Sequence, residues 1–170
     1  MCLSDTGNKE VDKTNRRYLE TVIRHHVSGR FKVAPEHCSP TVLGLMRKPA
    51  FGLFQQLKSI FDEINRKHRL NEQIIPYFIS SHPGCRPEDM AKLAVATKTL
   101  DFKLEQVQDF TPTPMTVATT IYYSGYHPYS LQKIDTAKSE KEKKQQNMFF
   151  FWYKREFREQ IMTLLRRIHR

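Results

Sequence analysis

The chain has 170 residues, a net charge of +10 and 39% hydrophobic content, which suits one soluble domain with a real core and leaves little length for two. No run of about 18 uncharged apolar residues exists, so a membrane helix is excluded, and the first residues lack the apolar core of a secretory signal, so the expected compartment is the cytoplasm. Three dispersed cysteines, Cys2, Cys38 and Cys85, fit a reduced compartment better than a disulfide framework.

Apolar spacing predicts a helix from about Lys13 to Val27, with Tyr18, Val22 and Ile23 on one face. It is followed by a short strand at "RFKVA", 30–34, with Phe31 and Val33 on one side. Ser39-Pro40 reads as an N-cap with proline at the first helical position, opening a short helix with Val42, Leu43 and Met46. A longer helix carries Phe54, Leu57, Phe61 and Ile64 at spacings of three and four. "QIIPYFISS" is apolar almost throughout and predicts a strand buried on both faces, as in a parallel sheet. His82-Pro83-Gly84 ends it. Pro87, Glu88 and Asp89 then form an acidic first turn of a helix whose buried stripe is Met90, Leu93, Ala94 and Leu100. "KLEQVQDF" is a third strand, ending in the proline-rich "TPTPMT". Strand and helix in alternation imply an α/β fold with parallel strands joined by right-handed crossovers.

From Ile121 the composition changes to a Tyr, Gly and Pro-rich loop, and the segment from Ser139 onward is helical in composition. From Ala137 onward there are ten Lys/Arg against four Asp/Glu. Such clustering reads either as a solvated helical face or as a contact with a polyanion such as RNA. Tyr153, Phe157, Ile161, Leu164 and Ile168 follow helical spacing, more simply a docking face than a base-stacking platform.

In β/α folds, ligands sit beyond the carboxyl ends of strands, because loops and helix N-termini converge there. That rule selects "PEHCS" at 35–39, "SSHPGC" at 80–85 and "QDFTPTPM" at 108–115. Taken singly, His37 and His82 are more simply hydrogen-bonded structural groups, and Cys38 and Cys85 packing residues. The spacing lacks the logic of a metal site, and no Walker loop, G-x-S-x-G or G-x-G-x-x-G occurs.

"RFKVAPEHCSPTVLGLMRKP", "IIPYFISSHPGCRPEDM" and "LEQVQDFTPTPMTVATTIYYSG" resemble three consecutive signature segments of radical SAM proteins, closest in wording to the YgiQ-like branch of predicted Fe–S oxidoreductases. The likeness runs from about Asn15 to Tyr126. It departs from many members at Glu36-His37-Cys38-Ser39, where they have Gln-Ser-Gly-Ser, and at Cys85, where they have an acidic residue. The resemblance implies S-adenosylmethionine as cofactor, with Glu36, His37 and Ser39 toward its ribose or methionine end and Ser81 and His82 beside the adenine. Gln108 and the Thr111–Pro114 turn would close the far side. The family also holds a [4Fe–4S] cluster through Cys-x-x-x-Cys-x-x-Cys, and that triplet does not occur in this sequence. The expectation is therefore the C-terminal half of a radical SAM (β/α) barrel over 1–126, followed by a loop and basic helical tail over 127–170, with the N-terminal half of the barrel as partner. Whether the chain acts in catalysis, or as a module that binds RNA through its tail, is left open by the residues.

Overall fold

Asn8 starts the first helix. Its side-chain carbonyl accepts the N–H groups of Glu10 and Val11 at 3.0 and 3.4 Å, so the helix begins at Lys9, earlier than the apolar spacing indicated. In the computed structural model, which describes residues 8–104 and 107–168, the order is α1 (Lys9–His25), β1 (Arg30–Glu36), α2 (Pro40–Leu45), α3 (Gly52–His68), β2 (Gln73–Ser80), α4 (Pro87–Thr99) and β3 (Val107–Asp109). Then come α5 (Val117–Ser124), α6 (Glu140–Asn147), a 3-10 turn (Met148–Phe151) and α7 (Arg155–Ile168). The fold is α/β, with one three-stranded sheet in the order β1-β2-β3. No helix among the described residues is long and apolar enough to cross a membrane.

The residues form two compact units, one from 8–35 and 50–76, the other from 36–49 and 77–168. In the first, α1 packs on α3 through Leu19, Ile23, Phe54, Phe61 and Ile64, and Phe31 stacks on Phe61 with ring centroids 5.8 Å apart. Tyr18, expected on the buried face, is 60% exposed. The true face is turned by one residue and centres on Leu19 and Ile23, because Tyr18 has an apolar ring that composition alone cannot distinguish from a core residue. Arg16–Glu63 and Lys67–Glu20 tie the same two helices at the surface, where ion pairs contribute little.

The second unit holds the parallel pair. Phe78, Ile79 and Ser80 of β2 stand opposite Val107, Gln108 and Asp109 of β3. Burial along β2 alternates, with Ile74, Pro76, Phe78 and Ser80 inside and Ile75, Tyr77 and Ile79 half-buried, so its two faces are less equal than the apolar run suggested. β3 is shorter than "KLEQVQDF"; Glu105 and Gln106 of that stretch lie outside the described residues. Met90 and Leu93 of α4, Phe78, Ile121, Phe149 and Phe150 are almost fully buried.

Two segments differ from the sequence reading. Ile121–Ser124 is not loop but the last turn of α5, which Thr116 caps by accepting the Thr119 N–H at 3.2 Å and which Gly125 ends in the left-handed conformation. The tail is not one helix, because the apolar run "MFFF" breaks from α6 into a 3-10 turn and buries Met148, Phe149 and Phe150. α6, the 3-10 turn and α7 pack as a group, with α4 and β3 as their neighbours. Tyr153 precedes α7 and donates its hydroxyl to the Leu104 carbonyl at 3.0 Å, and Trp152 donates its indole N–H to Thr97. Ile161 is buried and Phe157 and Leu164 are partly so; the side chain of Ile168 lies outside the described residues.

The contrast within α1 is directly measurable. Ile23→Ala should destabilise the protein by about 3 kcal/mol in denaturant titration, the usual cost of removing a fully buried aliphatic side chain, whereas Tyr18→Ala should change stability by less than about 0.5 kcal/mol.

Candidate functional site

Because Ser80 is level with Asp109, the residues that follow both strands emerge at one edge. The Phe110 N–H donates to the Ser80 carbonyl at 2.8 Å, and the Ser80 hydroxyl donates to Asp109 Oδ1. At this edge of the second unit lies a cleft of about 570 Å3, within the range of small-molecule sites. Glu36, His82, Gln108, Thr111 and Thr113 line it, together with Leu45, Ile79, Phe110 and Val117. Arg47 and Lys48 also face it. Lys48 pairs with Glu36 at 3.3 Å, whereas Arg47 enters no ion pair among the described residues.

Backbone strain gathers around this cleft. Glu36, Arg47, Ser81 and Met115 all have positive φ, from 54 to 66°, a conformation that costs a residue with a side chain about 1 kcal/mol. Two of them line the cleft and the other two directly precede His82 and Thr116, which do. Such clustering is a usual mark of a ligand site.

The six residues singled out from the sequence separate into two layers. Glu36, His82 and Gln108 line the cleft. His37, Ser39 and Ser81 are at most 3% exposed and are absent from its walls. His37 Nδ1 accepts the Ser39 N–H at 2.9 Å, so the neutral ring carries its proton on Nε2, which faces Cys85 Sγ at 3.5 Å. Burial holds the His37 imidazole down to about 4; the Asp89 carboxylate opposes this and His82 adds to it. Burial, and then Asp89, push the Cys85 thiol up to about 12 and Cys38 to about 11, so both stay protonated and unreactive at neutral pH. The His37–Cys85 contact is thus a neutral packing pair, not an activated nucleophile. Among the described residues no group of three or more His, Cys, Asp or Glu could hold a metal; Cys2 lies outside them.

His82 is only 5% exposed, packs edge-on against Phe110 with centroids 5.0 Å apart, and faces the Pro83 carbonyl with Nδ1 at 2.9 Å. Only an N–H satisfies that carbonyl, so Nε2 is the acceptor in the neutral ring. Burial lowers the imidazole pKa, and the Pro83 hydrogen bond opposes it. Gly84 closes the turn at φ 81°, donates its N–H to the Asp135 carbonyl at 2.8 Å, and has the Leu45 side chain where a Cβ would be. Arg86 pairs with the Asp135 carboxylate at the protein surface.

Sequence reasoning missed two residues. Gln146, buried in α6, accepts the Ser81 N–H at 2.8 Å and donates to the Cys85 carbonyl at 2.9 Å. Asn147 donates to Asp109 Oδ1 at 3.0 Å. No local signal marks either, since amides in a charged helix read as surface. Of the tail's aromatic run, Phe149 and Phe150 are buried, and Phe151, Trp152 and Tyr153 are half-buried.

Two outcomes follow from this geometry. Gly84→Ala should cost about 1–3 kcal/mol in thermal or chemical unfolding, from left-handed strain and overlap with Leu45. The unfolded chain protonates His37 near 6.5 while the folded chain resists protonation until about 4. Its contribution is therefore fully present above pH 6.5 and lost as pH falls toward 4, by roughly 3 kcal/mol at most, with His82 acting in the same sense. Unfolding titrations between pH 7 and 4 should show His37→Asn losing less stability with acid than the parent.

A family model described as "Domain of unknown function (DUF3362)" matches residues 105–166. The chain is 57% identical over all 170 residues to a UPF0313 protein of Bacteroides thetaiotaomicron and 58% identical over the same length to one of Porphyromonas gingivalis, covering 27% of each. A UPF0313 protein of Methanocella arvoryzae is 44% identical over 130 residues, 76% of this chain and 22% of that protein. No solved structure matches. The chain thus spans about a quarter of the length of the two most fully matched of these relatives, corresponding to a C-terminal part of them. Its homologues over its full length are UPF0313 proteins, the YgiQ-like group whose wording its motifs share.

Proposed function

We propose that this chain forms the cofactor-holding side of a radical SAM protein, and that the cleft at the ends of β2 and β3 receives S-adenosylmethionine. The observation that carries the reading is the donor set of the cleft. It joins apolar walls, from Leu45, Ile79 and Phe110, to amide and hydroxyl groups from Gln108, Thr111 and Thr113, beside the guanidinium of Arg47, which enters no ion pair among the described residues. An adenosine needs the first two, and the methionine carboxylate needs the third, for which the forked guanidinium of arginine is well suited. Glu36, His82 and Gln108 would touch the cofactor, while His37, Ser39 and Ser81 would support them from behind.

The residues do not fit a [4Fe–4S] cluster, since no group of three or more His, Cys, Asp or Glu that could hold a metal is present among the described residues. In this reading the cluster belongs to another segment of a longer protein, which would complete a (β/α) barrel with the strands described above. Reductive cleavage of the cofactor is the chemistry that such a cluster supplies. This chain's part is to bind and orient the cofactor and exclude water from it, in the cytoplasm.

Calorimetry with S-adenosylhomocysteine, which keeps the adenosine and the carboxylate but cannot be cleaved, tests the reading. Arg47→Ala should weaken its binding about tenfold, equivalent to roughly 1.4 kcal/mol, and leave the binding of adenosine alone unchanged. A parent chain that binds neither compound, or a variant that loses both equally, would refute the assignment.

A further inference from the structure

α6 has an unusual docking chemistry. Of the sequence "EKEKKQQN", the one residue fully buried is Gln146, and it is an amide. A helix that serves only to cover a core buries apolar side chains, because they gain free energy without directional demands. An amide in the same place must satisfy its carbonyl and its NH2, and it stabilises only the arrangement that supplies both partners. Both partners of Gln146 belong to one turn. Oε1 accepts the N–H of Ser81, and Nε2 donates to the carbonyl of Cys85, so the side chain spans the turn from its first residue to its last. The residue that this turn presents to the cleft is His82. Ser81 is held there at φ 61° with its hydroxyl buried and without a hydrogen-bond partner among the described residues, a conformation that has no local reason to persist. The next residue, Asn147, fastens α6 to the end of β3 through Asp109, a second residue of the cleft wall.

We propose that Gln146 is a positioning residue for the ligand cleft: by bridging Ser81 and Cys85 it fixes the turn and sets the ring of His82, so that the site takes its binding form only with α6 docked. This gives a role to part of the region matched only as a domain of unknown function. It rests on the reading of the cleft as a cofactor site, but it can be tested without any cofactor.

The readout is the tautomer of His82, which ring 15N shifts report in the ligand-free chain, assigned by comparison with His82→Gln. The parent ring should carry its proton on Nδ1, held there by the Pro83 carbonyl. Gln146→Met keeps the length of the side chain and removes both hydrogen bonds. In that variant the ring should pass to a mixture of the two tautomers, and S-adenosylhomocysteine should bind about tenfold more weakly. Should Gln146→Met not fold, Gln146→Glu, which keeps the acceptor for Ser81 and loses the donor to Cys85, is read in the same way. A His82 ring still locked with its proton on Nδ1 in a folded variant would overturn the proposal. If the parent binds no S-adenosylhomocysteine, the cofactor reading falls, and the tautomer alone decides the role of Gln146.

Discussion

The parallel pairing of β2 with β3, with Ser80 level with Asp109, is the constraint on which the second unit depends. Parallel strands that end together deliver their following loops to one edge, and the register decides which residues meet there. A slip of one residue would carry Phe110 to the face now held by Asp109, and would part the Ser80 hydroxyl from the carboxylate that accepts it. His82 and Phe110, which touch edge-on, would no longer meet. The register is anchored by Phe78, which stands opposite Val107 and is buried.

Around that edge, polar groups are arranged in depth. The outer layer lines the cleft and is mixed in charge, with Glu36 answered by Lys48 and Arg47 in no ion pair among the described residues. The inner layer, from His37, Ser39, Ser81 and Gln146, is buried and uncharged, and burial keeps both histidines and both thiols neutral. An uncharged inner layer avoids the large cost of isolated buried charge while still offering directional bonds that hold the outer layer in place.

Much of this was legible in the sequence. β2 and the turn after it announced themselves by an apolar run stopped at His82-Pro83-Gly84, and α3 by Phe54, Phe61 and Ile64. The strand-end rule pointed to the segments that carry Glu36, His82 and Gln108, which line the cleft because topology places them at one edge. It could not sort them from His37 and Ser81, since whether a polar side chain turns inward depends on partners far away in sequence. Tyr18 and the end of α5 were misplaced for a related reason. An aromatic ring reads as core wherever it lies, and the proline-rich lead-in to α5 masked the cap at Thr116. Gln146 and Asn147 were invisible because their surroundings in sequence are charged and solvated.

The bridge from Gln146 to the His82 turn also has a consequence for the order of events during synthesis. Its two hydrogen bonds join residues 65 and 61 positions apart, and the contact of Asn147 with Asp109 spans 38. β2, α4 and β3 emerge from the ribosome well before α6, so the turn must spend an interval with the Ser81 N–H and the Cys85 carbonyl open to water. Contacts of such long separation form late, after loop-closure entropy has been overcome. The cleft is therefore among the last features of the unit to mature, and a nascent chain that has not yet released residue 146 carries the residues of the site without its shape.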